Sequence, residues 1–196
     1  MNEKVEVWKA HVREVSADPS FVHHEWFVRW HLEIVERIAL ELCDEYPEAD
    51  RELVEVMVWL HDYGKALDFD NQYAVTLSAG RAKLTEMGFT RDFVERAISG
   101  IETMDKKMEL DLRTAPLEVQ IVASADGCSH MVGPFLSLYW REHPELSTEE
   151  LMAANRAKLE KDWNHKITLP EARAAFAAHH DFLLEQASPV PQKILV

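Results

Sequence analysis

Between Phe21 and Tyr46 the apolar residues Val28, Ile34, Val35, Ile38, Ala39 and Leu42 recur at helical spacing. That pattern predicts one long amphipathic helix, stopped near Pro47. The rest of the chain is punctuated the same way. A helix over about residues 3 to 15 comes first, and Asp18-Pro19-Ser20 opens the long one. Asp50 is placed to cap a helix through Trp59, Leu60 and His61, which Gly64 can terminate. Lys65 to Tyr73 has no period and reads as a loop; Val75 to Met87 reads as a helix stopped at Gly88. Thr90 caps the next, to about Thr103, and Met104 to Arg113 is irregular. Pro116 opens an apolar helix to Asp126 that extends toward His130, and Phe135 to Arg141 is a short segment. Ser147-Thr-Glu-Glu150 and Thr168-Leu-Pro-Glu171 are capping boxes for two further helices. The Pro-bearing tail from Ser188 is expected to be loosely held. No strand alternation and no internal repeat interrupts this order. The expectation is an all-α, single-domain helical bundle over residues 1–196, with a core at about 20–130 and C-terminal helices at about 134–187.

Composition narrows the function classes. The 196 residues are 47% hydrophobic and 29% charged, as in a globular protein with an ample core. No apolar stretch approaches the roughly 20 residues that span a bilayer, so no membrane partner is expected. Met1-Asn2-Glu3-Lys4 does not open an apolar signal region. Cys43 and Cys128 imply no disulfide framework, and a cytoplasmic location is the default expectation. A net charge of −14 repels nucleic-acid polymers. It still allows a small anionic substrate, where a metal and a few basic side chains reverse the local field.

The chemistry concentrates at Val58-Trp59-Leu60-His61-Asp62-Tyr63-Gly64-Lys65. An imidazole and a carboxylate stand side by side at the end of an apolar run. His31 precedes them within Trp30-His31-Leu32-Glu33-Ile34-Val35, and Asp126 follows Val122-Ala-Ser-Ala. Both residue types, imidazole and carboxylate, are natural ligands for a divalent cation. A carboxylate after so apolar a run is costly to bury unless it is paired or metal-bound. From the residues alone, helix capping by Asp126 and a hydrogen-bonded core role for His31 stand beside the four-ligand reading.

The order His31, His61-Asp62, Asp126, with the extended form His-Asp-x-Gly-Lys, resembles the HD-domain superfamily of metal-dependent phosphohydrolases. The resemblance covers residues 20 to 130 and extends less fully to Lys158–Glu185. It implies that His31, His61, Asp62 and Asp126 hold one divalent cation: Mn²⁺, Mg²⁺, Fe²⁺, Ni²⁺ or Zn²⁺. That cation would polarise a phosphoryl group and activate water. Lys65 would meet phosphate oxygens; an exposed lysine favouring a helix end is the alternative. Two-metal relatives carry further histidines between the dipeptide and the last Asp. None occurs here from residue 63 to 129, and Glu102 stands where one is often found. This argues for one metal and against two-iron oxygenase chemistry.

Other candidates carry less. Asp68 or Asp70 could serve as general acid if burial raises its pKa. His130, four residues after Asp126, shares its helix face and could touch substrate or buttress the ligands. His24 lies two helical turns before His31 and could line the pocket mouth. Trp26, Phe27, Trp30 and Trp59 read as core rather than as a base-stacking platform, and His179-His180 belongs to no constellation. The leading expectation is hydrolysis of a small phosphorylated metabolite, with a nucleotide suggested by the resemblance alone. The alternative is a catalytically silent metal-binding regulatory module. A homodimer is left open.

Overall fold

A computed structural model describes residues 3–190. Most of the tail from Ser188 lies outside the described residues. Among the described residues the regular structure is all helical, without strands. In chain order the helices are α1 (Glu3–Ser16), α2 (Glu33–Glu45), α3 (Arg51–Leu60), α4 (Tyr63–Leu67) and α5 (Gln72–Glu86). They continue with α6 (Arg91–Asp105), α7 (Leu117–Ser129), α8 (Phe135–Glu142), α9 (Thr148–Lys161) and α10 (Pro170–Gln186).

Local signals placed most boundaries. Asp50 accepts from the Leu53 amide, Thr90 from the Phe93 amide, and Ser147 forms a reciprocal capping box with Glu150. Gly88 follows α5 with φ of 77°. Three expectations are corrected. The stretch from Phe21 to Tyr46 is not one α-helix: turns lead into a π-helical segment, Val28–Leu32, before α2 begins. The Lys65–Tyr73 loop is shorter than expected, because Tyr63–Leu67 coils into α4, with Gly64 inside it rather than ending α3. Thr168 does not cap α10. Leu169 does, with Pro170 at the first helical position, and the Thr168 and Leu169 amides donate to Ser124 Oγ on α7. A tertiary acceptor has displaced the local one.

Helix α7 is the axis of the bundle, packed against α2, α3, α6 and α10. From Ile121 through Met131 every residue is buried. A helix covered on all sides needs small residues wherever neighbours come close. Gly127 is one such position: a Cβ there would lie 2.8 Å from Ile167 Cγ1 and 3.2 Å from Lys166 Cβ. Its absence lets the π-helical turn Asp162–Lys166, which follows α9, press against α7. Across the bundle, buried Lys9 of α1 reaches Glu36 of α2 and Glu55 of α3, each at 2.6 Å. Trp8 and Trp59, both fully buried, donate to the Val56 carbonyl and Glu36. These contacts fasten α1, α2 and α3 together and so set where His31 and His61 meet.

Candidate metal centre

His31 arrives on the π-helical turn, His61 caps the C-terminus of α3, Asp62 precedes α4, and Asp126 lies within α7. The extra residue of a π turn rotates a side chain off the regular helical face, a device common at functional sites. It aims His31 at the end of α3. The Nε2 atoms of His31 and His61 are 3.2 Å apart. Asp62 Oδ2 lies 3.3 Å from the first and 3.5 Å from the second, and Asp126 Oδ1 is 3.8 Å from each.

Hydrogen bonding decides the tautomers. His61 Nδ1 is 2.6 Å from the Val58 carbonyl, which only accepts, so Nδ1 carries the proton. Ser129 Oγ donates to the Asp126 carbonyl at 2.7 Å and therefore accepts from His31 Nδ1 at 3.2 Å. Both Nε2 atoms are left as bare lone pairs facing each other and two carboxylate oxygens. Burial lowers the His31 pKa and favours this neutral form. Four acceptors converging without a proton between them need a cation. Donor atoms around one ion are about 3 to 4 Å apart at bond lengths near 2.1 Å, and the observed separations fall in that range. Two sets of donors have the spacing of ligands around a divalent cation, His31–His61–Asp62 and His31–Asp126–His130, and they share His31.

A fifth donor joins them. His130 caps the end of α7, and its Nδ1 is 2.8 Å from Asp162 Oδ2, so its proton sits there. The free Nε2 faces Asp126 Oδ1 at 3.3 Å, and the ring stacks on His31 at 5.3 Å. Burial pushes its pKa down to about 3. Asp126 Oδ1 thus belongs to the centre, while its Oδ2 holds the buried Lys166 ammonium at 2.5 Å. Burial alone would raise the Asp126 carboxyl; the Lys166 ammonium is its largest counterweight, and the pKa is held well below the carboxylate range. Asp62 balances the same way, with Lys65 Nζ at 2.5 Å as its largest counterweight.

The HD-domain family model matches residues 29–131, just over half of the chain. The chain belongs to the HD-domain family. Its members are in general metal-dependent hydrolases. No curated protein and no solved structure gave a significant match. The matched HD domain contains His31, His61, Asp62, Asp126 and His130; Lys158, Lys161, Asp162 and Lys166 lie beyond it.

The centre lies in an open cavity of about 220 Å³. Its wall includes Lys65, as the motif suggested. Four other sequence candidates are elsewhere. Asp68 and Asp70 are exposed, do not line the cavity, and Asp68 is engaged with Asn71 in a local turn. Closeness in sequence misled there, because α4 ends and the chain turns outward. Glu102 is exposed and pairs with Lys106 at 2.8 Å. His24 bonds its own Phe21 carbonyl and faces a separate groove, while its neighbour His23 lines the cavity, held by Glu142 at 2.9 Å. Trp26, read as core, packs against the core and also forms part of the cavity wall with Phe135 and Tyr139.

Sequence reasoning missed Asp105, Lys107, Lys158, Lys161 and Lys166, all of which line the cavity. Burial, and then the negative charge of Asp62, raise the Asp105 pKa to about 6. Lys166 follows Asp162 by four residues, the one local signal for their pairing.

Proposed function

We propose that the protein is a metal-dependent phosphohydrolase acting on a small phosphorylated metabolite. One observation carries the reading: the Nε2 atoms of two buried imidazoles and two carboxylates converge in the lining of a cavity that remains open to a ligand. A purely structural metal site is closed by protein ligands. A divalent cation held there supplies Lewis acidity toward a phosphoryl group and toward water.

The chain's own residues supply the rest. Lys65, already beside Asp62, offers its ammonium to phosphate oxygens as charge develops. Asp105 takes the general-acid role expected of Asp68 or Asp70. It faces the cavity, and burial keeps its proton near neutrality, where proton transfer is most efficient. His130, anchored by Asp162, and Lys166 keep Asp126 in one orientation. The aromatic wall of Trp26, Phe135 and Tyr139 supports a nucleotide as substrate, since flat rings bind a base by stacking.

Asp62→Ala tests the assignment. The variant should lose retained Mn²⁺ and all turnover across a panel of nucleotides and chromogenic phosphate esters, while keeping wild-type helicity by circular dichroism. Stoichiometric metal in the variant would sink the site. A wild-type protein that holds metal but hydrolyses nothing on the panel would favour the silent binding module.

A further inference from the structure

The lysines of the cavity exceed what the metal centre uses. Five line it, against the four carboxylates Asp62, Asp105, Asp126 and Glu142, in a chain of net charge −14. Their partners divide them. Lys65 is bound to Asp62 and Lys166 to Asp126, so each neutralises a carboxylate of the centre. Lys158 reaches Asp162 at 3.2 Å, a carboxylate it shares with His130 and Lys166. Lys107 and Lys161 form no side-chain hydrogen bond or ion pair among the described residues.

Such an arrangement is unfavourable on its own. Lys107 follows α6 and is half-buried; burial, then Lys166 and Lys161, disfavour its charge and outweigh the more distant pull of Asp126 and Asp105. Lys158 is pushed down to about 8 by burial and by the same two neighbours. Lys161 ends α9, where a cation suits the helix dipole, but no such reason applies to Lys107. Crowded, partly desolvated cations, two of them without an ion-pair partner, are what a preorganised anion site looks like before its ligand arrives.

We propose that Lys107, Lys158 and Lys161 form a second anion subsite beside the metal centre, and that the substrate carries a second phosphate group there. This rests on the phosphohydrolase reading and specifies its substrate class: a compound with two phosphates close together, as a diphosphate or as neighbouring esters. Two uncommitted ammonium groups match the charge of one phosphate dianion. Lys158 and Lys161 come from α9, outside the matched HD domain, so the subsite is an addition made by the C-terminal helices.

The test is calorimetric titration of the full chain with inorganic pyrophosphate and orthophosphate, first free of metal and then with excess Mg²⁺. Lys107→Gln, Lys161→Gln and their double variant are compared with wild type. Lys106→Gln, beside Lys107 but paired outward with Glu102, controls for overall charge. Wild type should bind pyrophosphate about tenfold more tightly than orthophosphate. The double variant should lose about tenfold in pyrophosphate affinity and less than about twofold for orthophosphate, with Mn²⁺ stoichiometry unchanged. Absence of the preference, its survival in the double variant, or an equal loss in Lys106→Gln would each overturn the subsite. Failure of wild type to take up metal would instead remove the hydrolase reading, and the metal-free titration would still judge the subsite.

Discussion

Gly64→Ala is the sharpest test of how the motif is built. Helix α4 lies so close to α5 that a Cβ on Gly64 would sit 2.1 Å from the Gln72 carbonyl and 2.6 Å from both the amide and hydroxyl of Thr76. Two of these three atoms are backbone, so no side-chain rotation relieves the overlap, and the helices must part by about 1 Å or more. Parting them breaks the 2.8 Å hydrogen bond from the Gly64 amide to buried Thr76 Oγ1. Overpacking costs about 1 to 3 kcal/mol, and a stranded buried donor about 1 to 3 kcal/mol more. The expected loss is about 2 to 6 kcal/mol by urea denaturation. Because Asp62 and Lys65 flank the same turn, Mn²⁺ affinity should fall as well. Thr76→Val removes the hydrogen bond without the overlap, so it should lose only the smaller, polar share. A Gly64→Ala protein within about 1 kcal/mol of wild type would refute the argument that close packing of α4 on α5 dictates this glycine.

Further outcomes follow from the buried charges. Lys166→Met leaves Asp126 and Asp162 buried without their shared cation, at a cost of about 3 to 5 kcal/mol in metal-free protein. Excess Mn²⁺ should recover part of the lost thermal stability, and no recovery would contradict the placement of Asp126 at the centre. For Lys158, with a pKa near 8 folded and 10.5 as the ordinary value, the unfolded chain binds more protons between those limits. Its contribution to stability therefore rises with pH across that window, so the wild type should gain on Lys158→Met between pH 8 and 10 in urea melts; an unchanged difference speaks against its burial. Asp105→Asn should act in two directions. Removing a carboxyl whose pKa is raised to about 6 should stabilise the fold above that pH, yet kcat should fall by about 10² or more and lose its dependence on pH near 6. A variant with wild-type kcat would remove Asp105 from the chemistry.

The four residues named from the motif and the geometry around them were legible to different degrees. His31, His61-Asp62 and Asp126 stood out because each interrupts or ends an apolar helical run, where a polar group needs a reason. His130 was seen as a neighbour of Asp126, but only the fold turns its Nε2 toward the Asp126 oxygen that also faces His31 and His61. Asp68 and Asp70 looked suitable by proximity in sequence and are exposed, whereas Asp105 is far along the chain and faces the cavity.

The amino-acid sequence by itself determined the helical class, most helix limits and the order of the motif residues. Those depend on interactions within a turn or two: apolar periodicity, caps such as Asp50, Thr90 and Ser147, and glycine at Gly88. Tertiary structure alone decided the π turn under His31, the displacement of the Thr168 cap by Ser124, and the lysine-rich wall. The last two depend on groups tens of residues apart, as Thr168 is from Ser124, Lys166 from Asp126 and Lys161 from Lys107, brought together by packing around α7. A local pattern carries no record of a charge that arrives from another helix.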